Sequence, residues 1–149
     1  MRREIGREPG GRALDVKAKT SGQGAASGTD RRCVLLVEDN RNLRITTARM
    51  LEHLGYSVTA VDNGPAAVEA FRHGPAPDVT ILDVGLPGMG GREVMGAIRA
   101  MAPGARVVLC SGAPEDLVVA AGAGGPTEML VKPYDIEALS GVLKQILGS

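Results

Sequence analysis

Five short apolar runs, separated by polar or glycine-rich stretches, divide the chain between Cys33 and Leu147. They are Cys33-Val34-Leu35-Leu36-Val37, Tyr56 to Val61, Val79-Thr80-Ile81-Leu82-Asp83, Arg106 to Cys110, and Glu128 to Val131. Continuous apolar, β-branched character over so few residues is the pattern of a strand covered on both faces, as in a parallel sheet flanked by helices. The run Tyr56 to Val61 alternates more, which predicts a strand nearer the sheet edge.

Between these runs the apolar period becomes helical. Leu43, Thr47, Met50, Leu51 and Leu54 share a helical stripe, with Asp39 or Asn40 as N-cap and Gly55 as a left-handed stop. Asn63-Gly64-Pro65 opens a second helix with Pro in its first turn, turning Val68 and Phe71 inward until Gly74-Pro75. Val94, Ile98 and Met101 mark a third helix, ended by Pro103-Gly104. Pro114 to Ala121 is a short fourth helix frayed by Gly122, Gly124 and Gly125. The last helix follows Asp135, with Ile136, Leu139, Leu143 and Ile146 on one stripe. Strands alternating with helices through short loops imply right-handed crossovers and a doubly wound, five-stranded parallel α/β sheet with five helices.

The first thirty residues carry no such period. Rich in Gly, Arg, Ser and Thr, they lack the apolar side chains that offset ordering entropy, and predict a flexible tail ahead of one domain over 31–149. The tail holds six basic and four acidic side chains, a net of +2 that leaves the remainder at −2. Its composition is that of a solvated linker rather than a phosphate-binding arm.

Composition narrows the function classes. Apolar residues make up 44% of 149, yet there is one Phe, two Tyr and no Trp, so the core is aliphatic and no stacking platform for single-stranded nucleic acid exists. Basic and acidic side chains balance at 17 each, without the excess of a direct nucleic-acid binder. Two arginines follow Met1 without an apolar run, which is not a secretory signal, and no segment has the length of a membrane span. Cys33 and Cys110 stand far apart without CxxC spacing, as buried small hydrophobes of a reducing, cytoplasmic compartment. The methionines read as core filler, and His53 and His73, beside glycines at helix ends, as surface residues. No Gly-Lys-Ser/Thr turn of a P-loop is present.

The chemistry collects where strands end. The first run ends in Glu38-Asp39, the third in Asp83, the fourth at Ser111 and the fifth at Lys132. In a parallel sheet these ends share the carboxyl edge, where doubly wound folds build their sites. Three acids there repel one another, and a divalent cation relieves the conflict; hard oxygen donors suit Mg²⁺, with the Gly85 carbonyl as a further donor. An ammonium and a hydroxyl beside that metal are what phosphoryl oxygens require, so Asp83 is placed to attack phosphorus and hold an acyl phosphate. Each residue also has an ordinary reading: Asp39 as a helix cap, Asp83 as a turn residue, Ser111 in a Ser-Gly turn, Lys132 as a solvated strand end. Their joint arrival at one edge argues against four separate accidents.

From Cys33 to Leu147 the chain resembles bacterial two-component response-regulator receiver domains. The acidic pair matches Glu38-Asp39, the phosphoaccepting Asp matches Asp83 in Leu82-Asp83-Val84-Gly85-Leu86-Pro87-Gly88-Met89, the hydroxyl residue matches Ser111, and the Lys-Pro pair matches Lys132-Pro133. The resemblance implies a flavodoxin-like sheet in strand order 2-1-3-4-5. It implies that Asp83 takes a phosphoryl group from the phosphohistidine of a sensor histidine kinase or a histidine phosphotransfer protein. It further implies that Glu38, Asp39, Asp83 and the Gly85 carbonyl hold Mg²⁺, with Glu38 acting directly or through water. Lys132 would bind a phosphoryl oxygen. Ser111 would report phosphorylation to a protein target on the face of helix four, strand five and helix five. The domain would be no turnover enzyme, catalysing only its own phosphotransfer and dephosphorylation.

Three features depart from the family pattern. Met129 stands where a switch aromatic usually precedes the Lys by three residues, Gly90 replaces a polar cap before the third helix, and helix four is glycine-rich. Phosphotransfer is expected to survive these changes, and the readout to be altered. No effector region is recognisable, so a stand-alone or hybrid-kinase-type receiver is expected. Two alternatives stand beside this one. A receiver-like interaction module would work without phosphorylation. An Asp-nucleophile phosphohydrolase would carry a second acid two residues after its nucleophile, where this chain has Gly85.

Overall fold

The computed structural model describes residues 31–121 and 124–148. Every apolar run is a strand: β1 (Cys33–Val37), β2 (Ser57–Val61), β3 (Val79–Asp83), β4 (Val107–Ser111) and β5 (Thr127–Val131). The helices between and after them are α1 (Arg41–His53), α2 (Gly64–His73), α3 (Gly91–Met101), α4 (Pro114–Ala121) and α5 (Ile136–Leu147). The strands form one sheet in the order β2-β1-β3-β4-β5, all parallel. The region read as a flexible tail, 1–30, lies outside the described residues.

Alternation along the strands divides the core between two faces. Leu35, Val37, Leu82, Val107 and Leu109 pack with Val68, Val94, Ile98 and Leu117, beneath α2, α3 and α4. Val34, Leu36, Ile81, Val108 and Cys110 pack with Leu51, Leu139 and Leu143, beneath α1 and α5. Strands β1, β3 and β4 are covered on both sides, which is why they lack polar alternation. β2 stands at one edge and keeps an exposed residue at every second position of its first half.

Local signals place the helix ends. Asn40, not Asp39, caps α1, its side chain accepting from the Leu43 N–H at 2.9 Å, and this leaves the Asp39 carboxylate for other uses. Gly55 has φ +99, a left-handed turn that a Cβ disfavours. Asn63 and Asp135 cap α2 and α5 through their side chains. At α3, Gly90 offers no side-chain cap, but Glu93 reaches back to accept from the Gly90 N–H at 3.1 Å, half of a capping box.

Two expectations about packing need correction. Met95 is buried, but Met101 and Met129 are 38% and 46% exposed, because one lies at the last turn of α3 and the other on the edge strand β5. Cys110 is buried, whereas Cys33, at the first position of β1, is only half-covered. Among the described residues no helix is long and apolar enough to cross a membrane.

Candidate functional site at the carboxyl edge

Backbone bonds just past the strand ends hold the functional loops together. The Glu38 N–H donates to the Val61 carbonyl at 3.1 Å, Val84 N–H to Cys110 at 2.9 Å, and Lys132 N–H to Ser111 at 2.9 Å. Each loop therefore leaves the sheet still attached to its neighbour, and the ends of β1, β3, β4 and β5 lie within two rungs of one another. Asp83 pairs with Cys110 across β3 and β4, so Ser111 stands one residue past that rung.

Glu38, Asp39 and Asp83 each bring a carboxylate oxygen within 4.8 Å of the other two. Glu38 and Asp83 are buried and Asp39 is exposed. The Lys132 ammonium lies 3.0 Å from Glu38 Oε1 and 3.0 Å from Asp83 Oδ2, bridging the two buried acids. The remaining oxygens are also engaged: Glu38 Oε2 accepts from the Asn40 N–H at 3.0 Å, and Asp83 Oδ1 from the Gly85 N–H at 2.9 Å. The Arg44 guanidinium, one turn into α1, donates to the Glu38 carbonyl at 3.0 Å and steadies the acidic loop from behind.

Burial is the largest influence on Glu38 and, with the Asp83 charge, raises its carboxyl above the ordinary range against the pull of Asn40 and Lys132. Burial alone would lower the Lys132 pKa, but its bonds to Glu38 and Asp83 and their charges outweigh that, so the ammonium is favoured beyond its usual range. Below it, burial pushes the Cys110 thiol up to about 12.

Ser111 is buried at the end of β4, its Oγ accepting from the Ala113 N–H at 3.0 Å. This short turn leaves the hydroxyl proton able to point elsewhere. Met129 pairs with Leu109 in the ladder, three residues before Lys132, and is exposed. A Cβ on Gly85 would lie 3.6 Å from Asp83 Oδ1, so residue 85 stands directly beside the carboxylate. The sheet thus brings together Glu38, Asp39, Asp83 and Lys132 by measured contacts, and sets Ser111 at the same edge. His53 and His73 are exposed at helix ends. Sequence reasoning did not find Arg44, because an Arg one turn inside a helix carries no signal of its own, and it offered Asn40 only as an alternative cap, not as a donor to Glu38.

The donor set suits a hard divalent cation. Among the described residues three clustered carboxylates are met by a single ammonium, and carboxylate oxygens with water are what Mg²⁺ selects.

Residues 34–144 match the family described as response regulator receiver domain. The chain is 34% identical over 116 residues to the probable transcriptional regulatory protein TcrX of Mycobacterium tuberculosis, a match covering 76% of this chain and 49% of that protein. It thus spans about half the length of that regulator. It is 30% identical over 117 residues to the chemotaxis protein CheY of Thermotoga maritima, covering 74% of this chain and 97% of that one. Among solved structures it is similar to the receiver domain of sensor histidine kinase PA1611 from Pseudomonas aeruginosa, which holds a coordinated magnesium ion in its active site cleft. That match has a TM-score of 0.73 and 28% identity, covering 80% of this chain and 99% of the other. Motif order, sheet order and the matched span agree, and the chain belongs to the response regulator receiver domain family of two-component, phosphorylation-dependent signalling.

Proposed function

We propose that residues 31–149 form a cytoplasmic receiver that accepts a phosphoryl group on Asp83 from the phosphohistidine of a sensor histidine kinase or a histidine phosphotransfer protein. In this reading a carboxylate oxygen of Asp83 attacks the phosphorus, the P–N bond breaks with its electron pair returning to the imidazole, and an acyl phosphate forms. Asp39 and Asp83, with the Gly85 carbonyl and with Glu38 directly or through water, would hold Mg²⁺. When bound, the ion supplies neutralisation of charge on the phosphoryl oxygens. Lys132, already bridging Glu38 and Asp83, exchanges a carboxylate oxygen for a phosphoryl oxygen, and the Ser111 hydroxyl donates to another. Water later cleaves the anhydride; Gly85 and Ala113 offer little cover, so the phosphorylated state is not long-lived.

The observation that carries this reading is the position of the Lys132 ammonium, 3.0 Å from both Glu38 and Asp83 in a cluster of three acids. Receivers are signalling modules rather than turnover enzymes, and the output assigned here is protein contact through α4, β5 and α5, with Ser111 and Met129 as switch residues. The test is transfer from a panel of phosphorylated kinases and histidine phosphotransfer proteins. One partner should lose label to the wild type within seconds to minutes, and none to Asp83→Asn. Transfer that persists in Asp83→Asn would overturn the assignment.

A further inference from the structure

The ammonium of Lys132 hangs on a flexible four-carbon stem at the end of an edge strand, so its placement needs an explanation beyond the two acids it meets. β5 pairs only with β4, and the last backbone bond of that pairing is Lys132 N–H to the Ser111 carbonyl. Two residues further on, past a cis Lys132–Pro133 peptide, the Tyr134 hydroxyl lies 2.8 Å from Thr47 Oγ1. Thr47 is fully buried in α1, the helix that leads out of the Glu38-Asp39 loop. The Tyr134 ring packs against the core cluster that contains Cys110, Leu139 and Leu51. The bond is partly buried and its Thr47 end fully so, and breaking it leaves that buried hydroxyl unpaired.

We propose that Tyr134 and Thr47 are positioning residues for phosphoryl capture: their hydroxyl–hydroxyl bond ties the segment carrying Lys132 to the helix behind the acidic pair and fixes the ammonium between Glu38 and Asp83. Neither residue touches the phosphoryl group. The assignment rests on the function proposed above and adds two residues to it. Sequence spacing could not suggest the pair, because 87 positions separate its members.

The test compares the wild type with Tyr134→Phe, Thr47→Val, the double variant, and Thr47→Ser, which keeps the hydroxyl. Two readouts are followed: the rate of Asp83 phosphorylation by acetyl phosphate at saturating Mg²⁺, and the Lys132 side-chain ¹⁵N resonance without any phosphoryl donor. Each hydroxyl deletion should slow the maximal rate by about 2- to 10-fold, the worth of one net hydrogen bond, with half-saturating donor and Mg²⁺ concentrations unchanged. The double variant should be no slower than the slower single one, Thr47→Ser should recover the wild-type rate, and both deletions should shift the Lys132 resonance. Wild-type rates in both single variants, rate losses that multiply in the double one, or an unmoved Lys132 resonance would overturn the proposal. A wild type that takes no phosphoryl group while the resonance shifts as expected would instead overturn the function and leave the brace as a feature of the fold.

Discussion

Replacing Asp39 with Asn should make the metal-free protein more stable and the Mg²⁺-bound protein less so. Asp39 is exposed, yet a carboxylate oxygen of each of Glu38, Asp39 and Asp83 lies within 4.8 Å of the others. One unit-charge pair at 4.8 Å repels by ~1 kcal/mol in bulk water and ~3.5 kcal/mol at an effective dielectric of about 20. Lys132, 3.0 Å from both buried acids, cancels about one of the two negative charges that Asp39 faces. With Asp39 facing solvent, the net relief on removing its charge is about 1–2 kcal/mol, a rise in melting midpoint of roughly 3–10 °C for a domain of this size. In saturating Mg²⁺ the order reverses: a ligand at a hundred times its Kd stabilises by about 2.7 kcal/mol, and Asn is a poorer partner for the ion. Thermal melts of both proteins in chelator and in Mg²⁺ would read this crossing. A lower midpoint for Asp39→Asn in chelator, or equal Mg²⁺ stabilisation of the two proteins, would refute the reasoning. The pH dependence has a fixed sign. Glu38 has a folded pKa above its unfolded value, so its contribution to metal-free stability is complete below the unfolded pKa and is lost as pH rises through the folded one. Glu38→Gln should flatten that slope.

Other consequences are quickly checked. Thr80 Oγ1 is buried without a hydrogen-bond partner among the described residues, so Thr80→Val should raise stability by about 1 kcal/mol in denaturant melts, and a loss of similar size would contradict this. A Cβ at Gly91 would lie 2.7 Å from the Asp83 carbonyl and from Val84 Cα, so Gly91→Ala should cost roughly 1–3 kcal/mol and slow phosphorylation; wild-type stability would show that the loop yields. Burial holds the Cys110 thiol at about 12, leaving ~10⁻⁴ as thiolate at pH 8, so it should resist alkylation until the protein unfolds, with Cys33 reacting first; equal rates in the folded protein would be inconsistent with this packing.

Much of this architecture could be read from the sequence because burial on both faces writes itself as unbroken apolar runs. β1, β3 and β4 ended where those runs met an acid or a hydroxyl, and a parallel topology then required Glu38, Asp83, Ser111 and Lys132 to share an edge. β2 announced its edge position by alternation. What stayed hidden depends on side chains meeting across long separations. The bond from Thr47 to Tyr134 joins a helix to a loop with no local pattern linking them. Arg99, an unremarkable helical arginine in the sequence, donates to the Ala105 carbonyl and to Thr127 Oγ1, fastening the entrances of β4 and β5 at the opposite edge. Nor could composition separate Met95, on the core-facing side of α3, from Met129, on a strand with one neighbour. The choice of Asn40 over Asp39 as cap was equally open until the backbone set which side chain faced the Leu43 N–H. That choice matters most for chemistry, since an Asp39 spent on capping would weaken the acidic cluster.

Asp83 as phosphoryl acceptor is most directly tested by the intact mass of the protein after incubation with acetyl phosphate and Mg²⁺. The wild type should gain one phosphoryl group, only when Mg²⁺ is present, and Asp83→Asn should gain none. The same gain in Asp83→Asn, or no gain in a folded, Mg²⁺-loaded wild type, would contradict the account.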